Sequence, residues 1–313
     1  KDDFRVTTDM EGYPVTVSLN LGMGEASDIV VSRADNSNSD LINLVLFVYG
    51  SDGRFQQMLS TTASEQDNKI SIDSSSATED GVKYTITIKT TSGTKNLLAV
   101  ANTSSVASEG GFWESMASIA RDAQNGTLDF EGLKAAVIEL REDLYKDSEM
   151  LPIQITASSQ MLISGSNEGV VFNTSGDVTD YGQLDGTGNV VLKMDRAMAR
   201  ITFNIAEKPD KAKGIFTPSS FKVYNIPVES SLTNAAKSKT SSKTTYINSA
   251  SMNIGNISGG KYSFTFYMPE NIQKVEQGTT IKSYNDRDTW TGDSGSLPEN
   301  KIWANAPQNS TFV

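Results

Sequence analysis

The chain has 313 residues, about twice the ~150 of a single domain, so two cores of ordinary size fit within it. Asp and Glu number 38 against 27 Lys and Arg, and the resulting net charge of −11 argues against a nucleic-acid partner, which needs clustered cations to displace counterions. With no cysteine and no histidine there is no disulfide, thiolate nucleophile, imidazole base or imidazole metal ligand, so any catalysis would fall to carboxylates, Lys, Tyr or Ser.

In chain order, Val15-Thr-Val17-Ser-Leu19-Asn-Leu21 sets four apolar residues on one face and polar residues on the other, the period-two signature of a half-buried strand. Leu41 to Tyr49 is the longest apolar stretch, broken by Asn43 and far short of the ~20 residues of a membrane-spanning helix. It reads as a central strand covered on both faces, ended by the turn Ser51-Asp52-Gly53. Lys83 to Lys89 alternates cleanly, and Asn96 to Asn102 is a further buried run.

The pattern then changes. Leu133, Ala136, Val137, Leu140 and Leu144 fall at helical spacing and predict a helix over 128–146 with Asp129 as its cap, preceded by a shorter helix within Phe112 to Ala123. Helices that cover an open edge or end of a sandwich account for both without a partner protein. Strands resume at Gly188 to Leu192, Ala199 to Ala206, Ser220 to Val228 and Lys261 to Met268. The spacing, with Gly, Ser, Asn and Asp between strands, predicts an all-β chain of β-sandwiches with one or two helices. The Gly-, Asp- and Thr-rich stretch 174–188 places a domain boundary near residue 185, dividing the chain into 1–185, with the helical insertion, and 186–313. The Ser-, Thr- and Lys-rich tract Ser230 to Ser251 reads as an exposed loop.

Several motifs resemble catalytic ones and fail in context. Gly255 to Lys261 has P-loop spacing, but Tyr262 follows instead of Ser or Thr and the segment opens a strand, so it reads as a turn. Gly292-Asp-Ser-Gly295 has the look of a serine-protease nucleophile without any histidine to serve as its base. Ser92-Gly-Thr-Lys95 and Ser219-Ser-Phe-Lys222 fit Ser-x-x-Lys and lack the companion motifs of penicillin-binding proteins. The Asp35 to Asp40 segment and the group Asp286, Asp288 and Asp293 offer oxygen ligands for Ca²⁺ without EF-hand spacing; they read as solvated loops, with adventitious Ca²⁺ binding as the lesser alternative. The sequence therefore calls for no catalytic residue, no metal and no cofactor. A carboxylate-dependent glycosidase would need a facing acid pair, and no pair is singled out.

Four segments, in order, are similar to the fimbrillin family, the shaft subunits of Bacteroidales type V pili. Arg33-Ala34 followed by Leu44-Val-Leu-Phe-Val-Tyr49 looks like the family's processing arginine and its next strand. Asn96 to Thr103 resembles an apolar run ending in Ala-Asn. Leu192-Lys-Met-Asp-Arg196-Ala-Met-Ala-Arg200-Ile-Thr-Phe203 is similar to the opening of the family's second domain, and Phe266-Tyr-Met-Pro-Glu270-Asn271 to a later segment.

The resemblance implies two transthyretin-like β-sandwich domains in a cell-surface, fimbrial protein made as an outer-membrane lipoprotein precursor and supporting adhesion. It implies cleavage at Arg33-Ala34 by an Arg-specific protease, loss of the strand carrying Val15, Val17, Leu19 and Leu21, and filling of the groove by a strand from another pilus subunit. Partners would be further copies, anchor or tip subunits, and a host or bacterial surface receptor. No apolar segment is long enough to be a transmembrane helix. The chain starts at Lys1 without an apolar leader and stops at Val313 soon after Ala306-Pro-Gln-Asn-Ser-Thr311, so leader removal and a truncated second domain are expected. The alternative is a non-polymerising surface or pilus-tip adhesin that binds glycan or protein, with Trp290 and Trp303 as stacking residues.

Overall fold

The computed structural model describes residues 12–24, 41, 43–78, 81–103, 116–140, 149–150, 162–179, 192–206, 217–224, 226–233, 246–255 and 258–269. Six strands come first: β1 (Pro14–Gly24), β2 (Leu44–Gly50), β3 (Phe55–Ser60), β4 (Ser71–Thr78), β5 (Gly81–Thr91) and β6 (Gly93–Ala101). Helices α1 (Ala117–Gln124) and α2 (Phe130–Lys134) follow, then β7 (Val137–Glu139), β8 (Glu149–Met150), β9 (Ile163–Phe172), β10 (Val178–Thr179) and β11 (Leu192–Arg196). The remaining strands are β12 (Met198–Ala206), β13 (Ser220–Phe221), β14 (Ile226–Pro227), β15 (Glu229–Ser231), β16 (Tyr246–Ser249), β17 (Met252–Asn253) and β18 (Lys261–Pro269).

Nine strands form one sheet in the order β3-β2-β6-β9-β11-β1-β5-β4, with β10 beside β9. The sheet curls until its two edges approach. The turn joining β3 to β4 carries a bridge between Ser60 and Lys69, and Ile70 N donates to the Ser60 carbonyl at 3.0 Å. The inner face of this partly closed sheet holds a first core of Val17, Leu19, Leu21, Leu46, Ile86, Leu97, Phe172, Leu192 and their neighbours. A second core lies on the other face of β2 and β6. There Phe47, Tyr49, Leu98 and Val100 meet α1, α2 and the strands that follow residue 197, among them Phe264 and Phe266 of β18. The fold is mostly β-strand with few helices, and sandwich-like where the later strands pack on the shared wall.

β2 explains this arrangement. Its residues alternate between the two cores, Leu44, Leu46 and Val48 to the first and Phe47 and Tyr49 to the second. An unbroken apolar run is what a strand covered on both faces requires. Beyond residue 185, where the sequence places a boundary, β11 contributes Leu192 and Met194 to the first core, while β12 and β18 contribute to the second.

Three expectations are corrected. The helix expected over 128–146 is α2 alone, capped as expected by Asp129, whose Oδ1 accepts from Gly132 N at 2.7 Å. After Ala135 the chain turns extended, because Val137, Ile138, Glu139 and Leu140 also alternate exposed and buried and pair with β15. Tertiary pairing wins over an ambiguous local period; residues 141–146 lie outside the described residues. The single strand expected over Ser220 to Val228 is β13 and β14, separated by a stretch in which Val223 N bonds the Ser249 hydroxyl at 2.8 Å instead of a ladder carbonyl. The tract Ser230 to Ser251 is not simply an exposed loop: Ser230, Thr233 and Ser249 at its ends are buried.

Candidate strand-exchange groove

The alternating N-terminal segment folds as β1, and its four expected inward residues all point into the first core. Val15 is 8% exposed, and Val17, Leu19 and Leu21 are fully buried, while Thr16 and Ser18 face out. Their cross-strand neighbours in β5 are apolar for the last three: Ile88 opposite Val17, Ile86 opposite Leu19 and Tyr84 opposite Leu21. Burial of such side chains contributes roughly 1.5–3 kcal/mol each as an upper value. None of the four belongs to the second core.

β1 is an interior strand, between β11 and β5. It pairs antiparallel with β5 along its whole length, from Pro14 opposite Thr91 to Gly24 opposite Gly81. With β11 it pairs parallel, among the described residues through Leu21, Gly22 and Met23. Its start is tied to Ser92: Tyr13 N donates to the Ser92 hydroxyl at 3.1 Å, Ser92 N to the Tyr13 carbonyl at 2.8 Å, and Gly12 N to the Ser92 carbonyl at 3.2 Å. Pro14, which has no N–H to offer a ladder, stands at the first position of the strand. Thr85 Oγ1 donates to Asn20 Oδ1 at 3.1 Å across the pair they form.

Near the start of β1 the tight turn between β9 and β10 approaches its backbone. A Cβ on Gly176 would lie 2.6 Å from the Thr16 carbonyl oxygen. Sequence reasoning missed this contact and also β9 itself, whose Ile-Ser-Gly-Ser-Asn-Glu-Gly opening lacks an alternating apolar signal. The signal that was there is Gly165. A Cβ at that position would lie 2.1 Å from the Lys193 carbonyl oxygen, so only glycine lets β9 approach β11.

The groove is suited to backbone pairing and apolar burial, and among the described residues its lining carries no acid–base pair. Lys134 bridges Glu131 at 2.7 Å and also Glu168; burial alone would lower its pKa, and the bonds and charges of the two carboxylates raise it instead. Tyr49, donating to the Leu128 carbonyl at 3.1 Å, has its phenol pushed up to about 12 by burial and then by the Asp129 charge. A cleft of about 510 Å³ between α1 and β3 joins apolar Phe47, Met58 and Ala120 to polar Thr62, Glu65 and Gln124. The chain has no cysteine, and among the described residues no cluster of acidic side chains is placed to hold a metal. No described helix is long and apolar enough to cross a membrane.

The decoy motifs resolve into structure. Ser258 and Lys261 exchange two backbone bonds across Gly259 and Gly260, both at positive φ, so the P-loop-like segment is a two-residue hairpin turn. Lys95 donates to Gln56 Oε1 at 2.6 Å and Thr91 Oγ1 at 3.1 Å, and Lys222 lies over the Tyr224 ring. Arg33, Ala34, the Asp35 to Asp40 segment, Asp286, Asp288, Gly292 to Gly295, Trp290 and Trp303 lie outside the described residues.

No protein-family model and no curated protein matches the chain. Solved structures do resemble it. One is a tip fimbrial protein from Porphyromonas gingivalis with a C-terminal truncation, 15% identical, with a TM-score of 0.47 over 92% of this chain and 76% of that one. Another is a fimbrial assembly protein from Parabacteroides distasonis, 15% identical, with a TM-score of 0.45 over 84% of this chain and 79% of that one.

Proposed function

We propose that the chain is a non-enzymatic structural subunit of a type V pilus of the Bacteroidales, built of transthyretin-like sandwiches and polymerised by exchange of β1 for a strand of another subunit. In this reading it reaches the outer membrane as a lipoprotein precursor, and Arg-specific cleavage between Arg33 and Ala34 separates β1 from the chain that follows. The observation that carries the proposal is the position of β1. It is interior to the sheet, it supplies four apolar side chains to the first core, and it supplies none to the second. Removing it opens one slot with unpaired backbone groups and apolar pockets on the β5 side, which β-augmentation by another chain satisfies, while the second core keeps its own contacts. Donor and released strand would bury similar surface, so exchange is close to neutral in energy and slow.

The test is electron microscopy of wild type and Arg33→Ala after limited Arg-specific proteolysis. Filaments from wild type and none from Arg33→Ala support the proposal. Equal assembly of both overturns processing at Arg33 as the switch, and cleaved wild type that stays monomeric favours the adhesin alternative.

A further inference from the structure

We propose that the β9–β10 turn is a latch on the N-terminal half of β1, closed by the backbone contact of Gly176 on Thr16. This rests on the reading of β1 as the exchangeable strand, and concerns what must move before another strand can enter. Among the described residues, β11 pairs with β1 from Leu21 to Met23. Nearer the start of the strand, the Thr16 carbonyl is met by Gly176, at a separation that leaves no room for a Cβ. An incoming strand that is to take the place of Val15 and Val17 must pass this turn.

The turn is stiff inside, which is what a latch needs. Asn173 N donates to the Asp177 carbonyl at 2.9 Å, Gly176 N to the Asn173 carbonyl at 2.9 Å, and the Ser175 hydroxyl to Asp177 Oδ2 at 2.7 Å. Beyond it, among the described residues, Val178 pairs with Phe172 and Thr179 with Val171 to join β10 to β9. Displacing the turn from β1 strains these pairs, which lie on the edge of β9 opposite the one that bonds β6. Gly176, at φ +88°, also permits the turn conformation itself. A side chain there acts twice, by backbone strain and by collision with β1.

A control separates those effects. Gly53 has nearly the same backbone angle, φ +77°, with no atom within 4 Å of the Cβ it would carry. Hydrogen–deuterium exchange of the intact chain, read on peptides covering β1 and β2, compares wild type, Gly176→Val and Gly53→Val. The expected result is about tenfold faster exchange of the β1 amides in Gly176→Val, with β2 unchanged and with β1 in Gly53→Val as in wild type. Equal β1 exchange in the two variants overturns the latch, as does an equal acceleration of β1 and β2 in Gly176→Val. If Gly176→Val does not fold, Ser175→Ala deletes one bond inside the turn and touches no core residue. A rise of about two- to threefold confined to β1 then supports the latch, and no rise overturns it. This readout is made on the uncleaved monomer, so failed filament assembly would remove the strand-exchange reading without altering the latch result.

Discussion

Phe47 and Val48 are consecutive residues of β2 and are buried in different cores. β2 has no solvent face, so one strand serves as wall to both. Truncating either side of it should cost stability, about 2–5 kcal/mol for Leu46→Ala and about 3–5 kcal/mol for Phe47→Ala, read by urea unfolding. The two should differ in where they loosen the protein. Leu46→Ala, facing the first core, should speed hydrogen exchange in β1 more than in β18, and Phe47→Ala should do the reverse.

The two faces of β1 should respond as differently as their burial. Leu19→Ala is expected to lower stability by about 2–5 kcal/mol, as a fully buried leucine does, and to shift the urea midpoint accordingly. Ser18→Ala, one residue away on the exposed face, should stay within about 0.5 kcal/mol of wild type. Similar effects from both would mean that β1 does not seal the first core.

Gly165→Ala should be among the most damaging single-methyl changes in the sheet. Its Cβ would sit 2.1 Å from the Lys193 carbonyl oxygen, and the obstacle is backbone rather than a movable side chain. A cost of about 1–3 kcal/mol or more is expected, with a lowered melting temperature in a thermal scan. Exchange should rise first in β9 and β11, the strands forced apart.

Tyr49 predicts an alkaline loss of stability with a definite sign. Burial and the Asp129 charge raise its folded pKa to about 12 from 10.0. The unfolded tyrosine therefore loses its proton first, and the stability the native phenol contributes is complete below pH 10 and is lost as pH rises towards 12. Urea unfolding at pH 8 and pH 11 should show wild type approaching Tyr49→Phe in stability at the higher pH. Tyr49→Phe itself should cost about 1 kcal/mol at pH 8, for the bond to the Leu128 carbonyl. A constant difference between the two proteins would contradict the assignment.

The sequence by itself determined the features that depend on near neighbours along the chain. The inward set Val15, Val17, Leu19 and Leu21 follows from a period of two, the double burial of β2 from an unbroken apolar run, the Asp129 cap from a carboxylate placed to accept the Gly132 N–H, and the hairpin turn from Gly259 and Gly260. Partner choice was decided only by the tertiary structure. That β11 runs parallel to β1, that a Gly- and Ser-rich segment is the central strand β9, and that residues 137–139 pair with β15 instead of extending α2 all depend on contacts between distant segments. Local periodicity specifies which side of a strand is apolar, because side chains alternate whatever the neighbour is. It carries no information on which edge the backbone bonds will find, and so Gly176 could not be tied to Thr16 until the chain was folded.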